Sequence, residues 1–372
     1  MPDVMLPGGL IRVRDAAKQL GDLLAATGRY YRRGEALTRV HEEDGRVHLQ
    51  LLRPDGFASV FEEVAKLHKF NQKGQKVATI CSTQRAKEIV AAEPFQNAVP
   101  EIKAITNCPV LIERNGQLLT VTGYDRASGI YAQGAEPGKM PLEDAVRLLK
   151  ELLQDFRFAT DADGALAQVA MITPALAFGG LLGGRAPIDL GEADASQAGK
   201  GYRNKVTAAI YGEKVAAVAQ QKGGVGSLEE RFNSMLIRGR PFISFDNVRG
   251  PIDSQLLETF MTEDSYTARE PYSGNIEIDP TRTNVMFTSN KAEMTKDLAN
   301  RSSCVHILKQ PDGYPFRTYD EGDLLAHVRA NQPKYLGAVF AVVKHWHSQG
   351  KPRTEETGHD FRQWAQVLDW IS

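Results

Sequence analysis

One segment constrains the fold of this chain more than any other: Glu192-Ala-Asp-Ala-Ser-Gln-Ala-Gly-Lys-Gly201. It lies between an apolar run at 186–190 that reads as a short strand and a periodic stretch at 200–211 that reads as a helix. In a strand–loop–helix unit of this kind, successive backbone N–H groups turn into one concavity and the helix adds its positive end, which suits a phosphate. The full pattern is G-x-x-x-x-G-K-[ST]. Gly199 and Lys200 satisfy it, whereas Asp194 stands where the first glycine belongs and Gly201 where a magnesium-binding hydroxyl belongs. The residues expected to bind a nucleotide are Asp194, Ala195, Ser196, Gln197, Ala198, Gly199, Lys200 and Gly201, with Lys200 reaching the outer phosphates. By its own residues the segment reads equally well as a strand-to-helix turn containing a chance Gly-Lys.

Three downstream elements weigh against chance. Pro241-Phe-Ile-Ser-Phe-Asp246-Asn247 is an apolar run ending in an acid, a strand that would present Asp246 to a magnesium ion at its carboxyl end. Asn247 follows it where many ATPases carry a water-activating glutamate, so Glu229, Glu230 and Glu258 stand as candidates for that role. Val285-Met-Phe-Thr-Ser-Asn290 is a second such strand, its terminal amide suited to the γ-phosphate or the attacking water. Asp297-Leu-Ala-Asn-Arg301 precedes a third strand, and Arg301 suits a finger offered to a neighbouring subunit's nucleotide. The catalytic candidates are therefore Lys200, Asp246, Asn247, Asn290 and Arg301, with Asp246 as the metal ligand.

Between the two acid- and amide-ended strands lies a segment carrying Tyr266, Arg269 and Tyr272. Aromatics with a cation suit a sequence-tolerant contact to single-stranded DNA; an ordinary surface hairpin fits the same residues. A net charge of -1 excludes an overall positive field but leaves local basic faces open. Three cysteines far apart, Cys81, Cys108 and Cys304, form no disulfide framework and no metal-ligand spacing, which points to a reducing cytoplasm. No apolar run reaches membrane-spanning length, so no membrane partner is expected.

The chain divides at a Gly/Pro-rich stretch, 134–138. Residues 1–138 read as an α+β domain, with helices at 13–26, 60–70 and 82–92 and a hairpin at 110–121 around Asn115-Gly116. Residues 139–310 hold the loop and its strands. Residues 311–372 form a helical tail broken at Gly350-Lys-Pro352, and the amphipathic pattern running to Ile371 reads as a fragment or a shortened relative.

The ordered set resembles an AAA+ ATPase module. More narrowly, the segments 191–201, 245–251, 287–290 and 297–301 resemble the helicase part of primase-helicase proteins carried by phages, prophages and integrative elements. A Gly-Lys-Gly loop and an Asp-Asn pair are tolerated variants there. The resemblance extends, less specifically, to 108–125 and to the tail around Trp346, 350–353 and Trp364. It implies an α/β fold with an AAA+ type P-loop NTPase core, an N-terminal α+β domain and a C-terminal helical segment. It also implies ATP and Mg²⁺ as cofactors and an oligomer, a ring of six by family habit. The expected function is an ATP-hydrolysing DNA helicase or replication-initiation ATPase of a mobile element. A nucleotide-gated DNA-binding module with little or no hydrolysis is the alternative that Gly201 and Asn247 favour.

Overall fold

The structure, a computed structural model, describes residues 1–218, 228–248, 251–252, 255–270, 274–290 and 293–372, with the backbone alone at 247–248, 251–252, 270, 274 and 293–294. The glycine-rich stretch 223–226 lies outside the described residues.

The N-terminal region follows its periodicity closely at one helix, Val13–Ala26, which buries Ala16, Ala17, Leu20 and Leu24 on one stripe. Strands Tyr30–Arg33, Ala36–Glu43 and Arg46–Leu51 form an antiparallel sheet beside it. The helix expected over 60–70 is shorter. Phe57–Val64 is helical, but Lys66–Phe70 is a strand paired in parallel with Asp3–Met5, Leu67 opposite Val4. Leu67 is buried between exposed Lys66 and half-buried His68, an alternation that a partner strand rewards and helical spacing does not. The hairpin Val110–Arg114 with Gln117–Val121 forms as expected, Asn115 and Gly116 both taking positive φ (53° and 76°).

From residue 142 the chain alternates helix and strand: α1 (Leu142–Glu151), β1 (Arg157–Phe158), α2 (Asp161–Phe178), β2 (Ile188–Ala193), α3 (Lys200–Ile210), β3 (Ala216–Val218), α4 (Leu228–Ile237), β4 (Phe242–Val248), α5 (Gln255–Thr262), β5 (Asn284–Ser289), α6 (Lys296–Asn300) and β6 (Ser302–Leu308). Asp163 sits at the third position of α2. Thr160 is the cap, and the two side chains form a reciprocal capping box.

The six strands make one sheet in the order β1-β6-β2-β5-β4-β3, parallel except for β1. Every residue of β5 is buried, as a strand covered on both faces requires. The chain leaves β2 for β3 at the far edge, fills inward through β4 and β5, then crosses past β2 to β6. That reversal makes the carboxyl end of β2 the topological switch point, where open α/β sheets bind ligands.

One face of the sheet packs Val305, Ile307, Met286 and Phe242 under α2 and α3. The other packs Leu190, Phe245 and Phe287 against Phe232, Phe260 and Tyr266. The tail, α7 (Leu324–Ala330), α8 (Gln332–Ser348) and α9 (Arg362–Ile371), joins the first of these cores, as do Leu111 and Ile112 of the hairpin. Trp364 donates its indole N–H to the Thr173 hydroxyl of α2 (3.0 Å), and Trp346 donates to the Pro352 carbonyl (3.0 Å), which shapes the break at 350–352. Gly138, the last residue of the predicted linker, is packed against α8: its N–H donates to the Pro333 carbonyl (2.8 Å). A side chain at Gly337 would come within 2.0 Å of the Gly138 oxygen. Among the described residues no helix is long and apolar enough to cross a membrane.

Candidate functional site

The loop leaves β2 at Ala193 and enters α3 at Lys200. Two of its residues take positive φ, Gln197 (65°) and Gly199 (97°), so the chain turns sharply twice just before the helix starts. Turns of this kind aim neighbouring N–H groups into a hollow. Gly199 caps α3 with no side chain of its own, and a Cβ there would press on the Phe156 ring at 3.2 Å. Gly191, on β2, lets α3 approach: a Cβ there would lie 3.2 Å from Lys200 Cβ.

Lys200 donates its ammonium to the Asn290 side-chain oxygen, and the Asn290 amide reaches the Ser196 hydroxyl at 3.5 Å. Asn290 thus spans the mouth of the loop. Partial burial lowers the Lys200 ammonium pKa, opposed by the carboxylate of Asp246. A partly desolvated cation whose closest partner is a neutral amide gains by receiving an anion. Asp246 emerges at the carboxyl end of β4, where the pairing with β5 shifts register between Phe245 and Val248. It accepts a hydrogen bond from the Thr288 hydroxyl of β5. A Cβ built at Gly201 would lie 3.6 Å from Asp246 Oδ1, so the position the pattern reserves for a hydroxyl faces this carboxylate.

β5 lies between β2 and β4, so Asn290 follows the strand beside the loop's strand and Asp246 sits one strand further out. Both still converge on the first turn of α3. Asn247 continues β4, and its side chain lies outside what is described.

The cleft over the loop has a volume of about 1120 Å³. Ser196 to Gly201 line it, with Asp246 and Asn290; Asp194 and Ala195 do not. Asp194 instead accepts from the backbone N–H of Lys309 (3.1 Å), tying the loop to the segment after β6. Phe156, Tyr202, Tyr314, Phe316 and Tyr319 also line the cleft, and none of them was expected from the sequence. Asp155 organises this lining, accepting from the Tyr314 hydroxyl (3.3 Å) and the Arg317 N–H (3.2 Å). An aromatic wall beside an anion cradle is what a nucleotide's base and phosphates need together.

Beneath the loop, Arg203 is fully buried and pairs with Asp189 of β2 at 2.5 Å. This ion pair fixes α3 to its strand and was also outside the sequence expectations.

Arg301 ends α6, and its carbonyl accepts from the Ile188 N–H (2.9 Å) at the amino end of β2. It therefore stands at the opposite end of the strands from the loop, about 17 Å away along β2. No contact with the same chain's phosphate cradle is within its reach.

The expected DNA-contact residues divide. Tyr266 is buried: it packs on Phe232 and Phe260 and donates its hydroxyl to Asn233 (2.7 Å), so it belongs to the core and offers no ring to a strand of DNA. Arg269 is exposed on the hairpin Tyr266–Glu270 with Gly274–Ile278. Tyr272 lies outside the described residues. Of the candidate water-activating acids, Glu258 accepts from the Thr295 hydroxyl at 3.2 Å, and none of the three lines the cleft.

No family model matches the chain, and no curated protein does. Among solved structures it is similar to the apo C-terminal region of NrS-1, at 14% identity and a TM-score of 0.42, over 87% of this chain and 76% of that one. It is similar to the active helicase Cch of SCCmec type IV at 14% identity and a TM-score of 0.37, over 84% of this chain and 57% of that one. JCV helicase aligns at 10% identity and a TM-score of 0.28, over 62% of this chain and 66% of that one.

Proposed function

We propose that the chain binds ATP in the cleft at the carboxyl end of β2 and uses it to drive work on DNA, as a helicase or replication-initiation ATPase of a mobile element. The observation that carries the reading is the convergence of Lys200, Asn290 and Asp246 on the first turn of α3, at the switch point of a parallel sheet. In this reading the loop's N–H groups and Lys200 hold the phosphates, and the aromatic wall holds the base.

The oxygen donors fit Mg²⁺, which keeps most of its water and takes one or two carboxylates. Asp246 would hold it, alone or through water, with the Thr288 hydroxyl orienting that carboxylate. When bound, the ion neutralises charge on the phosphates. Asn290 would position the terminal phosphate or the attacking water, releasing Lys200 once phosphate takes the ammonium. Arg301, at the amino end of the strands, would serve a neighbouring subunit's nucleotide, so the reading requires an oligomer, with a six-membered ring the form to test for. Arg269 is the remaining described candidate for contact with single-stranded DNA.

A second reading, an ATP-gated DNA-binding module with little turnover, is favoured by one specific observation: Gly201 offers no oxygen to the metal beside Asp246. ATP turnover measured with and without single-stranded DNA, in the native chain and in Lys200→Ala, separates the two. A motor gives DNA-stimulated turnover that Lys200→Ala abolishes. A switch gives saturable ATP binding without turnover. Absence of both rejects the site.

A further inference from the structure

We propose that Glu192, Cys304 and His306 form a binding site for a zinc-class divalent ion, on the face of the sheet turned away from α3. The inference is independent of the nucleotide reading. The sequence shows only three scattered cysteines, but strand pairing supplies the spacing it lacks. Cys304 and His306 are two apart on β6, hence on one face, and Glu192 of β2 stands directly opposite His306 in the register. Gly191 faces α3, so its neighbour Glu192 faces the other way.

The donor atoms already approximate a coordination polyhedron. His306 Nε2 is 3.1 Å from Glu192 Oε2, Cys304 Sγ is 3.6 Å from that nitrogen, and the sulfur is 3.8 Å from the same oxygen. A tetrahedral ion at about 2.3 Å from sulfur and about 2.0 Å from nitrogen and oxygen spaces its ligands by about 3.3–3.6 Å. The three atoms need to move by only a few tenths of an ångström.

The surroundings match what a metal-bound histidine requires. His306 Nδ1 lies 3.1 Å from Asp163 Oδ1, so with a metal on Nε2 this carboxylate would hold the Nδ1 proton and orient the ring. Asp163 is itself buried and held: it accepts from the Thr160 hydroxyl (2.6 Å), the Thr160 N–H (3.0 Å) and the His306 N–H (2.8 Å). One sulfur, one imidazole and one carboxylate select a zinc-class ion over magnesium or calcium, which take oxygen alone. The His306 side chain is half exposed, so an ion has a path in and its fourth position is open to water. An ion there would clamp β6 to β2 two residues before the phosphate loop begins.

The test is cobalt titration of the chelator-treated full chain, read by absorption. One equivalent of Co²⁺ should give a thiolate-to-cobalt charge-transfer band with the intense visible bands of a four-coordinate ion, and Zn²⁺ should erase both. Cys304→Ser should lose the charge-transfer band. Asp163→Asn should keep it but weaken affinity about 10–100-fold, the usual cost of losing such a histidine partner. Far-UV circular dichroism of the metal-free proteins checks folding; if Cys304→Ser misfolds, His306→Gln takes its place and should bind cobalt at least as weakly as Asp163→Asn. No charge-transfer band in the native chain, only six-coordinate cobalt spectra, or an unchanged band in Cys304→Ser overturns the site.

Discussion

Glu213 lies just past the C-terminus of α3 and is fully buried. One of its oxygens accepts from both the backbone N–H and the side-chain amide of Asn107, each at 2.9 Å. The other oxygen has no hydrogen-bond partner among the described residues. Burial pushes its carboxyl up from the ordinary 4.5 to about 7, against the opposing pull of the Asn107 hydrogen bonds and of Arg240 and Arg46. Because the folded value is raised, its contribution is fully present below pH 4.5 and is lost as pH rises towards 7. In that window the unfolded chain releases the proton while the native state retains it. At about 1.4 kcal/mol per pH unit, the gap costs the native state about 3 kcal/mol by pH 8. Glu213→Gln keeps the shape and the acceptor for Asn107 but never ionises. Urea unfolding of both proteins at several pH values between 5 and 8 is the assay, and taking the difference between them cancels the other titrating groups. The variant should gain about 2.5 kcal/mol on the native chain between pH 5 and pH 8, the rest of the cost having already appeared by pH 5. Parallel stability curves across that range would refute a neutral buried Glu213.

Three further outcomes follow from particular contacts. Gly201→Ser places a hydroxyl beside Asp246, and Mg²⁺-dependent ATP affinity measured by calorimetry should rise about two- to tenfold, the worth of one added polar contact. Asp189→Ala strips the buried Arg203 of its carboxylate and should destabilise the fold by about 3–5 kcal/mol in urea titration. Tyr266→Phe removes the hydroxyl bonded to Asn233, costing about 1 kcal/mol of stability. It should leave single-stranded DNA affinity, read by fluorescence anisotropy, unchanged, whereas Arg269→Ala should lower it.

The strand, loop and helix around Lys200 were legible because a turn of that kind needs glycine at one place and apolar periodicity on both sides. Asp246 and Asn290 were legible as polar ends of apolar runs, but not the strand order that interposes β5 between β2 and β4. Strand order depends on crossovers, which no local pattern encodes. The aromatic lining of the cleft was missed because Phe156 and Tyr314 come to one cleft only when β1 pairs with β6. Tyr266 was misread although a local signal existed: it alternates with Ala268, and both are buried opposite Ile276 and Ile278. That period marks a core face. Arg203 was invisible because a buried arginine looks like any helical arginine until its partner on β2 is known. Cys304-x-His306 was passed over because its third member joins only through the sheet register.

The central claim, that the loop after β2 holds ATP through Lys200, is tested most directly by calorimetric titration of ATP into the native chain and into Lys200→Ala. The ammonium's charge-assisted contact with phosphate is worth about 1.5–3 kcal/mol. Saturable binding that weakens by about 10- to 150-fold in the variant is the predicted result. Equal affinity in the two proteins, or no binding in the native chain, would contradict the account.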